Sequence, residues 1–189
     1  MKSSDTDELV EQRNIEELKP HLTNNEIYQI QFDNTDKLEK SIKQFGQLEP
    51  IVITSKNIII SGHRRFNVLK KLGFKIVDVR VRDFDNEIEA LINFNVQREK
   101  RGEDIANEIR YLEREVYSKM ERRGRKKKGD SGVKVDKLTD YANRYEISRT
   151  SASTLLLIER NCPELIKRLK LKGNMDGDLT LNKAHEMCF

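Results

Sequence analysis

The chain has 189 residues, of which 36% are charged and 6% aromatic, with no Trp; this is room for one ordinary domain and a small second one, with lean aliphatic cores. No run of 18 apolar residues and no signal-peptide pattern is present, so a membrane span and secretion drop out and a soluble intracellular protein is expected. The net charge of +4 is uneven: residues 119–134 carry eight Lys/Arg against Glu121 and Asp130, leaving the rest of the chain at −2, which points to one local contact with a polyanion.

Residues 1–12 are polar and acidic without periodicity and read as a mobile tail. Ile15-Glu16-Glu17-Leu18 reads as a short strand or turn leading to Pro20. From Asp36 to Phe45, Leu38, Ile42 and Phe45 recur at helical spacing, and Gly46 stops the helix. Pro50–Thr54 and Asn57–Ser61 read as paired strands around Ser55-Lys56-Asn57. The second of these contains Ile58-Ile59-Ile60, the mark of a fully buried strand. It runs through Ser61-Gly62 into a helix carrying Phe66, Val68, Leu69 and Leu72, with Gly73 at its C-terminal cap. Lys75 to Arg82 returns to strand, with Ile76, Val77, Val79 and Val81 among polar residues. Asp85 to Asn95 is helical, with Ile88, Leu91 and Ile92 as its buried stripe.

A longer helix is predicted from Gly102 to about Arg123, with Ile105, Ile109, Leu112, Val116 and Met120 on one face. Gly124 and the stretch Arg125-Lys126-Lys127-Lys128-Gly129-Asp130-Ser131-Gly132 then read as a flexible basic linker and a domain boundary. Beyond it, Leu138 to Leu156 fits a helix-turn-helix. Ala142 allows a close helix crossing, Tyr145, Ile147, Ala152 and Leu156 face inward, and Ser148 caps the second helix. Arg149, Thr150, Ser151 and Ser153 then lie at the exposed helix start, within reach of base edges in a major groove. Most such motifs carry Gly where this chain has Glu146, at a position that often needs φ > 0. A plain αα-hairpin is the alternative. Cys162 and Cys188 have neither metal-ligand spacing nor a reason to pair and read as reduced bystanders. His21, His63 and His185 are scattered and give no zinc signature.

The stretch with most chemistry is the strand-glycine-helix junction. A helix start offers free backbone N–H groups and the positive end of the dipole. His63, Arg64 and Arg65 add donors suited to phosphate. An ordinary strand-to-helix junction with solvated basic residues would look the same in isolation.

Its neighbours give it context. Gly46-Gln47-Leu48-Glu49-Pro50-Ile51, Ser61-Gly62-His63-Arg64-Arg65 and Asn95-Val96-Gln97-Arg98, in this order and spacing, resemble the N-terminal domain of the ParB/sulfiredoxin-like family. That family comprises plasmid and chromosome partition proteins and their phage relatives. The resemblance covers roughly residues 13–115 and continues more weakly to the C-terminus. It implies an α+β architecture: a ParB/sulfiredoxin-like domain at 13–115, the helix end and basic linker at 116–135, and an all-α helix-turn-helix domain at 136–189. The family's C-terminal dimerisation domain is not found in these residues.

The resemblance also implies a ligand, CTP or another nucleotide with Mg²⁺. Gly62, Arg64, Arg65 and Arg98 would hold its phosphates, Asn95 would sit by the metal, and Gln47 and Pro50 would flank the base. His63, which the resemblance does not assign, reads as a further phosphate donor, as a catalytic group, or as a solvated or hydrogen-bonded structural residue. Double-stranded DNA, a homodimer and a partition ATPase are the implied partners. The implied location is the cytoplasm, at the nucleoid and away from membranes. Arg125, Lys126, Lys127 and Lys128 would add sequence-independent DNA contacts. Two carboxylates usual in chromosomal members are replaced, by His63 and Phe94, so hydrolysis is expected to be weak or absent. Sulfiredoxin has a Cys where this chain has Gly62, which argues against sulfinic-acid reduction. The favoured reading is a DNA-binding partition or regulatory protein of a plasmid, phage or mobile element. The alternative is an enzyme of the same fold: a nucleotide hydrolase, phosphotransferase or nuclease.

Overall fold

Ile58–Ser61 forms a strand whose successive residues Ile59 and Ile60 are both fully buried. Side chains alternate between the faces of a sheet, so this strand must be covered on both. The computed structural model describes residues 9–28, 35–96, 100, 102–118, 136–166, 168–169 and 179–189. It separates into two units, Met1–Asn95 and Val96–Phe189.

The first unit is a five-stranded mixed sheet with helices. The strands are β1 (Val10–Asn14), β2 (Lys19–Pro20), β3 (Ile51–Ile53), β4 (Ile58–Ser61) and β5 (Ile76–Val81), in the spatial order β1-β5-β3-β4-β2. β1 pairs antiparallel with β5 and β3 antiparallel with β4, whereas β3–β5 and β2–β4 are parallel. The helices are α1 (Leu22–Ile27), α2 (Asp36–Phe45), α3 (His63–Lys71) and α4 (Glu87–Phe94), with a 3₁₀ turn at Ile15–Glu17. One core gathers Ile15, Leu18, Ile42, Ile51, Ile53, Ile59, Phe66, Val68, Leu69, Val77 and Val79, placing α2 and α3 on one face. Ile60 is absent from that cluster, and α4, with Leu91 and Ile92 fully buried, packs against β4.

The second unit is helical. α5 (Gly102–Tyr111) widens into a π turn at Leu112–Tyr117, and Ile105, Ile109, Leu112 and Val116 of the expected stripe are all buried. After the undescribed linker come α6 (Lys137–Tyr145), α7 (Arg149–Asn161), α8 (Pro163–Ile166) and α9 (Leu181–Cys188). α6 and α7 pack on each other across the turn Glu146-Ile147-Ser148. Glu146 adopts φ 52°, ψ 44°, the left-handed conformation that glycine usually supplies. Ser148 caps α7 by accepting from the Ser151 N–H at 3.0 Å.

Three expectations are corrected and one helix is new. Residues 10–12 belong to β1 rather than to a tail; an edge strand with polar Glu11, Gln12 and Arg13 gives no apolar alternation to read. α1 was not anticipated. On α7 the inward residues are Ala152, Leu155 and Ile158, with Leu156 only half-buried. Cys162 and Cys188 are not bystanders. They form a disulfide with Cα atoms 6.0 Å apart, because the ends of α7 and α9, 26 residues apart in sequence, meet in the fold.

Candidate nucleotide and nucleic-acid sites

The Gly62 turn is built to leave backbone N–H groups open. Gly62 is the N-cap of α3 at φ 98°, ψ 18°, with no side chain to cap the helix. The first helical bond is Phe66 N–H to the Gly62 carbonyl, 2.8 Å, so the N–H groups of His63, Arg64 and Arg65 have no partner within the helix. A Cβ at residue 62 would stand 3.3 Å from Arg65 Nη1 and 3.4 Å from Ile51 Cγ1. Glycine is therefore favoured by its dihedral angles, and a Cβ would also press on the Arg65 guanidinium.

Arg65 ties two of the three sequence blocks together. Its Nη1 donates to the Pro50 carbonyl at 3.0 Å. Burial opposes its charge and nearby Glu49 favours it. Arg64 points outward, and among the described residues its side chain makes no hydrogen bond or ion pair. It is the turn's unspent cation.

Gln47 has a different job from the one expected. Its Nε2 donates to the Asp78 carbonyl (2.7 Å) and the Glu49 carbonyl (3.0 Å), and its Oε1 accepts from the Asp78 N–H (3.0 Å). Both ends of the amide are thus spent on backbone, and Gln47 acts as one extra rung of the ladder on β5. Asn95 closes α4, donating from Nδ2 to the Leu91 carbonyl at 2.8 Å. Arg98 lies outside the described residues, as do Arg125, Lys126, Lys127 and Lys128.

Of the readings of His63, the structure shows the hydrogen-bonded structural one, not the phosphate donor. Its ring is buried, and its Nε2 accepts from the backbone N–H of His21 at 3.3 Å. Desolvation, with His21 adding to it, lowers its pKa to about 4. At neutral pH it brings no charge to the turn. His21 and Glu87, which sequence reasoning passed over, belong to the same assembly. The His21 Nδ1 accepts from the Thr23 N–H (3.2 Å) and its Nε2 lies 3.4 Å from Glu87 Oε2. No spacing rule signals this, since the three residues meet only in the fold.

Among the described residues no group of three or more His, Cys, Asp or Glu side chains could hold a metal ion. No helix among them is long and apolar enough to cross a membrane.

In the second unit, Thr150 and Ser153 are exposed at the start of α7, and Ser151 is half-buried with its hydroxyl 2.9 Å from that of Ser148. Arg149 is exposed but engaged: its Nη1 pairs with the α6 cap Asp136 and donates to Thr139 Oγ1 at 3.0 Å. Behind this face the helices are joined by polar contacts. Lys100 Nζ and Tyr145 Oη both reach Glu108 Oε2, at 2.9 and 3.1 Å, and Glu108 is fully buried. Tyr141 donates to Glu113 at 3.2 Å, Tyr117 donates to Asp140, and burial raises the pKa of both phenols.

Comparison with known proteins adds a family. The model of the ParB N-terminal domain matches residues 1–95. A probable chromosome-partitioning protein ParB of Campylobacter jejuni is 39% identical over 84 residues, 41% of this chain and 30% of that protein. The uncharacterized protein ORF326b of Acidianus two-tailed virus is 27% identical over 151 residues, 78% of this chain and 44% of that one. The chain thus spans less than half the length of either relative. Among solved structures, a pNOB8-like ParB N-domain superposes with a TM-score of 0.65 at 21% identity, covering 95% of this chain and 78% of that one. The C-terminally truncated ParB of Caulobacter crescentus, complexed to the centromeric parS site, gives 0.53 at 18% identity, covering 94% and 98%. These likenesses establish a shared fold.

Proposed function

Because the chain belongs to the ParB N-terminal domain family, we propose that it is a DNA-binding partition or regulatory protein of a plasmid, phage or other mobile element, gated by a nucleotide whose phosphates rest on the Gly62 turn. The observation that carries the nucleotide part is the open start of α3, where three N–H groups without helical partners lie beside the exposed Arg64, whose side chain has no partner among the described residues. That is the chemistry of an anion site. Arg65 holds the floor of the turn to Pro50, which flanks the base in this reading. Gln47 fixes the adjoining strand edge rather than reading the base.

The ligand would bring its own Mg²⁺, since Mg²⁺ binds through phosphates and one or two protein oxygens. By the resemblance Asn95 would supply such an oxygen. The metal would draw charge from the phosphates. With apolar Phe94 and neutral His63 in place of those two carboxylates, activation of a water is handicapped and turnover is expected to be slow. The viral relative supports the mobile-element context.

DNA is read by the start of α7. Arg149, oriented by Asp136, together with Thr150, Ser151 and Ser153, contacts base edges, while Arg125, Lys126, Lys127 and Lys128 contact phosphates. A homodimer and a partition ATPase complete this reading as partners. Selection of duplexes from a random pool, with and without CTP and beside a phosphate-release assay, tests it. Enrichment of one sequence, altered by CTP and with little phosphate released, is expected. No enrichment with rapid phosphate release would favour the enzyme of the same fold.

A further inference from the structure

The assembly of His63, His21 and Glu87 does work that a phosphate donor would not. His63 is the first residue of α3, so its ring is fixed to the turn that carries the open N–H groups. Its Nε2 accepts a hydrogen bond from a backbone N–H 42 residues away in sequence, at the cap of α1. The capping residue is His21, whose ring closes α1 through Nδ1 and reaches Glu87, the first residue of α4, through Nε2. Each ring's proton position follows from its own contacts. Nδ1 of His21 accepts, so its proton lies on Nε2, facing the Glu87 carboxylate, while Nε2 of His63 must carry a lone pair. One chain of contacts thus links the starts of α1, α3 and α4. His21 and Glu87 are the titratable groups it brings to His63, and Arg64 and Arg65 are those on its own helix.

We infer that His63 is a positioning residue for the phosphate site: by accepting from the His21 N–H it locks the first turn of α3 in the orientation that aims its free N–H groups at the anion. This rests on the reading of the Gly62 turn as a phosphate site and supplies that site's preorganisation. Anion binding at a helix start depends on N–H groups already aligned, and a frayed first turn loses them. Protonating His63 at Nε2 would set two donors against each other and open the lock, so the site is coupled to acid pH through a group that need never touch the ligand.

The backbone donor can be removed selectively. His21 has φ −64° and follows Pro20, so proline fits its dihedral angle while deleting the N–H. His21→Ala keeps the N–H and loses only the ring. Calorimetry with inorganic triphosphate near pH 7.5 on the whole chain separates these effects, with thermal melts recording the fold of each variant. His63→Ala and His21→Pro should each weaken triphosphate binding about tenfold. His63→Gln, whose Oε1 can take the place of Nε2 as acceptor, should stay within about twofold of the parent, and His21→Ala should stay well above His21→Pro. If the parent protein binds no triphosphate, the phosphate reading fails and this one with it. If the parent binds and folded His63→Ala and His21→Pro bind equally well, only the positioning role is overturned. Equal losses in His63→Ala and His63→Gln would also overturn it, because a bond that glutamine can make would then be irrelevant.

Discussion

The two units are held together by different chemistry. In the first, an aliphatic cluster of Ile, Leu and Val residues fills the space between a sheet and its helices, and the polar features sit at the strand-to-helix turn. In the second, the joints between helices run through tyrosines and carboxylates: Tyr145 to buried Glu108, Tyr141 to Glu113, Tyr117 to Asp140. An aliphatic core tolerates small adjustments of its neighbours, whereas a buried charge tolerates none, because an unpaired partner keeps its full desolvation cost. The first unit is therefore a scaffold for a fixed turn. The second is a stack of helices whose mutual seating depends on a few directional contacts.

The largest test of that contrast is Glu108→Ala. It strands Lys100, and breaking a buried pair this way costs roughly 3–5 kcal/mol, so the second unit should lose most of its denaturant resistance. Glu108→Gln should cost clearly less, since its amide still accepts from Tyr145. Equal costs would mean that the charge is immaterial and that the second unit is held much like the first.

The disulfide comes next. Replacing Cys162 and Cys188 by Ser, or reducing the bond, reopens a loop of 26 residues in sequence separation. Chain-entropy arguments put this at about 3–4 kcal/mol, measured as a lower Tm of the second unit. An unchanged Tm would show that α9 stays docked through its apolar contacts alone.

A third test is acid. The folded pKa of His63, about 4, lies below its ordinary 6.5. The stability it confers is complete above pH 6.5 and falls away as the pH drops toward 4, by about 3 kcal/mol at 1.36 kcal/mol per pH unit. In His63→Gln this part of the slope should vanish, and a parallel slope in both proteins would refute the assignment. The smallest effect is at Glu146. A left-handed residue with a side chain costs about 1–2 kcal/mol, and glycine gives back about half of that as chain entropy. Glu146→Gly should thus raise the melting temperature of the second unit by the equivalent of about 0.5–1 kcal/mol.

What could be read from the sequence follows the same divide. Periodicity located α2 from Asp36 to Phe45, the β3–β4 pair and α3, because an apolar core writes its spacing into the chain. It missed β1, whose edge position permits polar residues, and α1, which is only six residues long. Two of the three sequence blocks, assigned from the resemblance to one site, do meet in the fold, with Arg65 bonded to Pro50 beside Gly62. Which side chains at those blocks are free was not legible. Gln47 and His63 carry groups suited to a ligand, yet both are spent on backbone supplied by Asp78 and His21, from distant parts of the chain. The polar joints of the second unit and its disulfide escaped for the same reason: each joins residues with no common period.

The central claim is that the two units bind different partners, phosphate at the Gly62 turn and base edges at the start of α7. Binding of CTP by calorimetry and of a selected duplex by gel shift, on Arg64→Ala and on Thr150→Ala/Ser153→Ala, tests this most directly. Arg64→Ala should weaken CTP binding by about 1.5–3 kcal/mol, the range for a charge-assisted hydrogen bond, and leave nucleotide-free DNA binding nearly intact. The double variant should lose about 1–3 kcal/mol on the selected duplex, much less on random DNA, and nothing with CTP. A loss of duplex affinity in Arg64→Ala as large as its loss of CTP affinity, without nucleotide present, would contradict the account.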